Sequence, residues 1–544
     1  MKHSPVRSNT KSCKRADRRR GIALLFVLVV VAALSLAVYN FTRKSVALLE
    51  ASRAHIDIVK QRLLAESAIS VSLARIKKGN LAQSNPVRYG QGDSGQVTSH
   101  IIDLEFDNER MGHFAVVRRI PHPGSEPEFG MQNESAKINL NALASSERNR
   151  EQIASKLMFT PGMSAPVADA IADRLLATRD KNNGNSPTSR MPSPSPKLED
   201  LSSLLTIPGI TPHLLFGEDQ NQNGQLDDSE NDGSQNLPMD NADGQLDAGW
   251  SSEWTVTGAE SNLRHDGTAK INLNQPNLAM LYDELSAECG DDLARFVVAW
   301  KVGSPQYFDE NPESLEQARK SSELERENTF QDRLREQLGG DNSDATKIGG
   351  DNSNVRNGII LSNKGRRLRS LFDLVGCKVQ VFIETTDVVL VSPFPSDPAS
   401  LQRILRDWEM KTTTNDQPTL EGRIDINQAS LATLRSIDGM TESQANSLVK
   451  IRESSDISST EFSTVAWLVS RGLLTTSQLR RIGPEITTGG CVFNGYAIGQ
   501  LSTSRTATAI FFTIDARQTR NQITRHVDLP PLQYHERLRI GKAK

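Results

Sequence analysis

The segment Asp219–Glu230, DQNQNGQLDDSE, spaces its oxygen-bearing side chains as a loop for a hard divalent cation would. Asp219, Asn221, Asn223, Asp227 and Glu230 fall at positions 1, 3, 5, 9 and 12 of a twelve-residue EF-hand pattern. Gln225 offers a backbone carbonyl at position 7, Gly224 supplies the sharp turn, and Leu226 is the apolar residue that follows. Calcium suits such a set, because it takes about six to eight oxygens in flexible geometry, and the loop has no His or Cys for zinc. Nine acidic residues lie between Glu218 and Asp247 with no Lys or Arg among them, so they repel one another unless a cation is held. Asp240, Asp243 and Asp247, in MDNADGQLD, repeat half of the pattern, as a second site or as further ligands to the first. The competing reading is a solvated Asn/Asp-rich loop, since DGSQNLP follows where an EF-hand continues as a helix. The expected role of calcium is structural, cross-linking a long loop.

Catalytic patterns are absent. There is no GxSxG, HExxH, Walker loop or dinucleotide fingerprint, and the nine His are scattered. Acid pairs such as Asp227 and Asp228 read as calcium ligands or surface charge. The expectation is a protein that is not an enzyme.

The 544 residues suffice for several domains. Residues 1–21 carry eight Lys or Arg against one Asp, so the rest of a chain with 63 basic and 66 acidic residues is net acidic. That balance disfavours broad phosphate contact. Cys13 lies in the basic stretch, and Cys289, Cys377 and Cys491 are far apart without CxxC spacing. One disulfide with a spare thiol and three reduced cysteines both remain open.

From Gly21 to Thr42 the chain is uncharged, with an apolar core at Ile22–Tyr39, about the ~20 residues a bilayer-spanning helix needs. Preceding basic residues predict a cytoplasmic amino terminus and an exported body. A secretory signal cut near Ser35 and Ala37, a plain anchor, and a leader cut after Gly21 all accommodate this stretch. The residues beyond it favour the last. Thr42–Lys78 has no Pro or Gly, and Leu49, Ile56, Val59, Leu63, Ile69, Leu73 and Ile76 recur at near-helical spacing. A helix from Ile22 to Lys78 would be about 85 Å long, with Gly79 and Asn80 as its stop.

Beyond the helix, IDLEFD alternates as a half-buried strand over Ile102, Leu104 and Phe106, and HFAVVRRI reads as a second. CVFNGYAI, TATAIFFTID and NQITRHVDL read as strands near the carboxyl end. Between them, KINLN at Lys137–Asn141 recurs at Lys270–Asn274, with RIDIN at Arg423–Asn427 as a third variant. The associated FTPGMS, TIPGIT and SIDGMT place Gly to end one helix and Ser164, Thr211 or Thr441 to cap the next, with Pro212 in a first turn and Thr441–Gln444 as a capping box. These are helix-hairpin-helix signatures. Few basic residues lie near them, so helical packing is preferred to DNA binding, and the Asn side chains are read as local turn formers.

The leader RRRGIALLFVLVV, the KINLN units before PGM or PGI hairpins, FSTVAWLVSRGLL at Phe462–Leu474, and ITTGGCVFNGYAIG, in that order, resemble the protein K family of minor pseudopilins in type II secretion systems. The resemblance covers most of the chain. It implies an α+β fold: a pilin-like long N-terminal helix plus an antiparallel sheet, with a large, mainly α-helical insertion. The divisions would be a leader at 1–21, a membrane helix at 22–43, stalk and first strands at 44–134, the insertion at 135–482, and closing strands at 483–544. Within the insertion, 218–247 is the calcium loop. A charged stretch at 309–369 and a Pro/Ser linker at 182–197 are departures from the family, read as disordered loops.

The resemblance also implies prepilin peptidase cutting between Gly21 and Ile22, minor pseudopilins I and J and an inner-membrane secretion platform as partners, and a single-pass inner-membrane protein with a periplasmic body. Phe26 stands where most pilin-like subunits carry a Glu for a neighbour's charged amino terminus, and this family lacks that Glu, as fits a fibre tip. The alternatives are a membrane-anchored helix-hairpin-helix protein of DNA uptake and a calcium-dependent adhesion protein.

Overall fold

The computed structural model describes residues 17–81, 104–106, 110–120, 129–147, 149–180, 197–219, 221–222, 226–233, 242–244, 246–264, 266–307, 355–361, 365–383, 386–394, 398–454, 460–501, 504, 506–517 and 522–533. The chain opens with one unbroken helix, α1 (Asp17–Leu81), of 65 residues. It begins inside the basic stretch rather than at Ile22, and it runs through Gly79 and Asn80, which do not stop it. A Gly costs only about 1 kcal/mol in a helix already nucleated, too little to end one. The strands β1 (Leu104–Phe106) and β2 (Arg110–Val117) form an antiparallel pair, Phe106 opposite Arg110; Ile102 lies outside the described residues. A short β3 (Gln132–Asn133) follows.

Three units of one design come next. The first starts with β4 (Ile138–Asn139), passes through α2 (Leu140–Ser146), α3 (Arg150–Leu157), α4 (Ala165–Asp180) and α5 (Pro212–Phe216), and closes with β5 (Trp254–Thr255) lying parallel to β4. After β6 (Ala259–Ser261), the second starts with β7 (Ile271–Asn272) and the hairpin of α6 (Leu278–Cys289) and α7 (Asp291–Val302). It then inserts a five-stranded antiparallel sheet of β8 (Ser304–Tyr307), β9 (Val355–Arg356), β10 (Ile359–Ile360), β11 (Cys377–Ile383) and β12 (Thr386–Val391). It ends in α8 (Pro398–Lys411) and β13 (Thr412–Thr413), parallel to β7. After β14 (Thr419–Glu421), paired with β6, the third runs from β15 (Ile424–Asp425) through α9 (Leu431–Arg435), α10 (Glu442–Ser454), α11 (Trp467–Ser470) and α12 (Thr476–Ile482) to β16 (Ile486–Thr487), parallel to β15.

This insertion is not mainly helical in its middle. VQVFIETTDVVLV supplies β11 and β12, and β9 and β10 fall inside the stretch expected to be disordered at 309–369, because Ile359 and Leu361 are buried in the same core as α7. Residues 308–354 and 181–196 lie outside the described residues. The third unit also extends past residue 482, since β16 belongs to it. The first unit has its own core around Trp254, Leu157 and Ile171, while the second and third share one.

The chain then returns to the first sheet through β17 (Val492–Leu501), β18 (Thr506–Asp515), β19 (Gln522–Asp528) and β20 (Leu532–Gln533). The order is β1-β2-β17-β18-β19, antiparallel throughout, with β3 beside β17 and β20 beside β18. The upper half of α1 packs on one face, burying Leu64, Ala65, Ala68, Ile69 and Ile76 against Phe114, Phe493 and Phe512. Contact is close at Gly499: a Cβ there would sit 1.9 Å from the Gln61 carbonyl oxygen. The Gln61 side chain donates to Thr506 O at 2.8 Å and anchors the helix on the sheet.

Candidate functional site

Among the described residues, one helix is long and apolar enough to cross a membrane, and none of its most apolar window is buried. Leu24 to Leu36 and on to Tyr39 and Phe41 stand exposed around the lower half of α1. In water so large an apolar surface is unfavourable, at roughly 25 cal/mol per Å². Gly21 and Ile22 lie within the helix, one turn before this surface, and Phe26 is 66% exposed on it. Above it the helix continues as a neck in which Leu48, Leu49, Ile56, Val59 and Leu63 stay exposed, before the sheet covers the opposite side.

The acidic segment lies between α5 and β5. Asp219, Asn221, Asp227, Glu230, Asp243 and Asp247 are described, whereas Asn223, Gly224, Gln225 and Asp240 lie outside the described residues. Gln222 adopts a positive φ of 54°, and Asp227 and Glu230 form a capping box around a single 3₁₀ turn; among the described residues, 231–233 beyond it are not helical. The half pattern folds back onto the full one. Glu218 N donates to Asp247 O at 2.8 Å, Asp247 N to Glu218 Oε2 at 3.1 Å, and Gly244 N to Asn231 Oδ1 at 3.1 Å. Glu218 and Glu230 are buried carboxylates in a segment without a cation, which is donor chemistry suited to calcium. The gathering is looser than the spacing implies. Asn221 turns its Nδ2 to Asp227 Oδ2 at 2.8 Å, and among the described residues no three His, Cys, Asp or Glu side chains converge as a metal cluster.

The turn glycines take the expected conformation, and two of the three expected side-chain caps form. Gly162, Gly209 and Gly439 have φ of 73°, 94° and 95°. Thr211 Oγ1 accepts from Leu214 N, and Thr441 and Gln444 cap each other. Two of their cations lie between hairpins. Lys156 is buried and shared by Glu147, Glu485 and Asp438 at 3.0, 3.0 and 3.3 Å, and Arg435 lies over the Phe159 ring at 5.5 Å, so the first and third hairpins meet each other. The basic residue opening each unit is likewise engaged: Lys137 with Glu134 at 3.0 Å, Lys270 Nζ with Glu409 O at 2.6 Å, Arg423 with Glu260. Burial pushes the Lys270 pKa down and that of Glu409 up. Arg150, Arg174 and Lys450 of the same hairpins, and Arg481 beside the third, are exposed.

The Asn residues of KINLN do more than form local turns. Asn139 Oδ1 accepts from Asn141 N and Ala142 N, which is the expected turn. Asn141, however, reaches across its unit: Nδ2 donates to Leu198 O and Val256 O at 3.0 and 3.1 Å, and Oδ1 accepts from Leu198 N at 2.8 Å. Asn274 repeats this with Leu368 O, Thr414 O and Leu368 N, and Asn427 with Phe462 O and the Trp467 indole. In the third unit Asp425 replaces the first Asn. Its Oδ1 accepts from Asn427 N and its Oδ2 from Asn133 Nδ2 at 2.9 Å, tying the unit to the sheet. Burial lifts its carboxyl to about 6, against the hydrogen bonds from Asn427 and Asn133 and the charges of Arg452 and Arg118. Glu134 is a second tie that the sequence did not reveal, accepting from Thr255 Oγ1 at 2.5 Å and Asn494 Nδ2 at 2.6 Å.

Cys289 is half-buried and Cys377 and Cys491 are buried, all three as free thiols; Cys13 lies outside the described residues. Burial raises the thiol of Cys377 to about 12 and that of Cys491 further, so neither is a nucleophile. Compared with known protein families, curated proteins and solved structures, the chain matches none.

Proposed function

We propose that the chain is a minor pseudopilin of a type II secretion system, with a role in assembly rather than catalysis. The observation that carries the reading is α1: one unbroken helix, apolar and exposed below, laid on an antiparallel sheet above. A pilin-like subunit needs that division, because the lower helix must rest in lipid and then against sister helices while the sheet stays outside.

In this reading the chain crosses the bacterial inner membrane once, with its basic amino terminus in the cytoplasm and its body in the periplasm. Prepilin peptidase cuts between Gly21 and Ile22, the secretion platform receives the processed subunit, and minor pseudopilins I and J are its neighbours. Phe26 in place of a carboxylate leaves no membrane-buried acid for the amino terminus of a preceding subunit, and the three-unit insertion obstructs addition above it; both suit an end of the fibre. Calcium would be held by Asp219, Asn221, Asn223, Gln225, Asp227 and Glu230, with Asp240, Asp243 and Asp247 as weaker candidates, and would neutralise their charge.

The test is the amino-terminal residue of the mature protein from membranes. Ile22, in particular methylated Ile22, is expected. Val38 would indicate a removed secretory signal and Met1 a plain anchor, and either overturns the proposal.

A further inference from the structure

We propose that Lys301 and Asn274 join through an intramolecular isopeptide bond, a covalent staple across the α6–α7 hairpin of the second unit. Its chemistry does not depend on the pseudopilin reading. Lys301, in the last turn of α7, is 4% exposed. Its Nζ donates to Asn274 Oδ1 at 3.2 Å and to Arg366 O at 2.9 Å, and among the described residues no carboxylate pairs with it. Lys156, by contrast, is shared by three carboxylates. A buried ammonium without a counter-ion is costly, and burial, helped by the charge of Arg367, brings the Lys301 pKa down to about 8. Roughly a tenth of the amine is then neutral at pH 7, and the neutral amine is the nucleophile.

The electrophile is held beside it. Asn274 Oδ1 also accepts from Leu368 N at 2.8 Å, a backbone donor at the oxygen where negative charge collects when a carboxamide carbon is attacked. Asn274 Nδ2 donates to Leu368 O and Thr414 O at 2.8 and 2.9 Å, which fixes the plane of the amide. The lysine stem is confined as well, since a Cβ at Gly365 would sit 3.0 Å from Lys301 Cβ and 3.1 Å from its Cε. In the step itself, Nζ of the neutral amine adds to Asn274 Cγ, one proton passes from Nζ to Nδ2, the Cγ–Nδ2 bond breaks, and ammonia leaves. The product is a secondary amide, and no oxidant, metal or co-reactant is consumed. In the other two units the matching oxygen meets no amine among the described residues: Asn141 Oδ1 accepts from Leu198 N, and Asn427 Oδ1 from the Trp467 indole. The link would close residues 274–301 into a ring and tie the hairpin at its base.

The test is a tryptic peptide map, by mass spectrometry, of the full-length protein extracted from membranes. Cleavage after Lys301 is expected to be lost, and the peptide holding Asn274 should be joined to the one holding Lys301 at their summed mass less one ammonia. In chain newly synthesised into nanodiscs, linkage should run about tenfold faster at pH 7 than at pH 6, following the neutral amine, and chain held in urea should stay unlinked. Lys301→Arg keeps the donors but removes the nucleophile, so both peptides should then be linear. Two linear peptides from wild type after long incubation at pH 8 overturn the proposal. So does loss of ammonia within the Asn274 peptide alone, which marks a succinimide. The wild-type map decides the matter without any variant having to fold.

Discussion

Asn141→Ala should be among the most destabilising single substitutions in the first unit. The side chain is buried and makes three hydrogen bonds at 2.8 to 3.1 Å, to Leu198 N, Leu198 O and Val256 O. Each bond contributes about 1 kcal/mol net, and each buried group left unpaired costs about 1–3 kcal/mol. Leu198 is itself buried, so water does not readily replace the lost partner. The expected loss is about 3–5 kcal/mol after partial relaxation. Asn141→Asp sharpens the test, because it keeps the acceptor for Leu198 N but sets an oxygen against two carbonyls. At neutral pH it should be no more stable than the Ala variant. Acidification should bring it back towards wild type, since a protonated carboxyl can donate to one of those carbonyls. Hydrogen exchange read by mass spectrometry on the full-length protein would show faster exchange in 138–157 and 197–216 and little change in 431–454. An Asp variant as stable as wild type at neutral pH, or an Ala variant within about 0.5 kcal/mol of it, would refute the clamp.

Gly499→Ala places a Cβ 1.9 Å from Gln61 O and 2.7 Å from Ala65 N, both backbone, so α1 must lift from β17; a loss of about 1–3 kcal/mol or more and protease cleavage in the upper part of α1 should follow. Asp425 is raised in the fold from 3.8 to about 6. Its ionisation therefore costs stability as pH rises through that window, fully above it and not at all below it, by about 3 kcal/mol. Asp425→Asn should flatten the rise in urea midpoint that wild type shows on acidification from pH 6 towards 4, and parallel curves would contradict this. Lys156→Met leaves Glu147, Glu485 and Asp438 facing one another, an expected loss of about 3–5 kcal/mol that Glu485→Gln in the same chain should partly restore. Calcium at about a hundred times its dissociation constant should stabilise the protein by about 2.7 kcal/mol, seen as a rise in unfolding temperature that Glu230→Gln removes; an unchanged temperature with millimolar calcium would count against the site.

How much was legible in the sequence depended on the distance between partners. The apolar run of α1, the strand-forming runs of β2, β17 and β18, and the caps at Thr211 and Thr441 are set by neighbours a few residues apart, and they fold as expected. The clamps were not legible, because Asn141 meets backbone 57 and 115 residues away and Glu134 meets Asn494 across 360. Two-residue strands such as β4, β7 and β15 are too short to alternate, and only the repetition of KINLN marked them. For the acidic loop the spacing was clear, but whether its oxygens converge depends on how the segment around Asp243 and Asp247 folds back, and nothing in the one-dimensional pattern fixes that fold-back.

The three units share a logic that also explains how so large an insertion can sit within the sheet. Each begins and ends with strands that pair in parallel, so its two ends emerge side by side. The insertion as a whole is also bounded by paired strands, here antiparallel. It leaves after Asn133 and returns at Cys491, and Asn133 pairs with Phe493 two residues later. Loop-closure entropy grows only with the logarithm of length, and here the ends are already neighbours in the ladder, so the sheet has little to lose by carrying more than three hundred residues. What has to be added is a fixed orientation, and the polar ties supply it: Asn133 to Asp425, and Glu134 to Thr255 and Asn494. This accounts for the one departure from Asn in the repeats. At Asn139 the second side-chain atom donates to Gly258 O, whereas at 425 it must accept from Asn133, so a carboxylate stands there despite its burial.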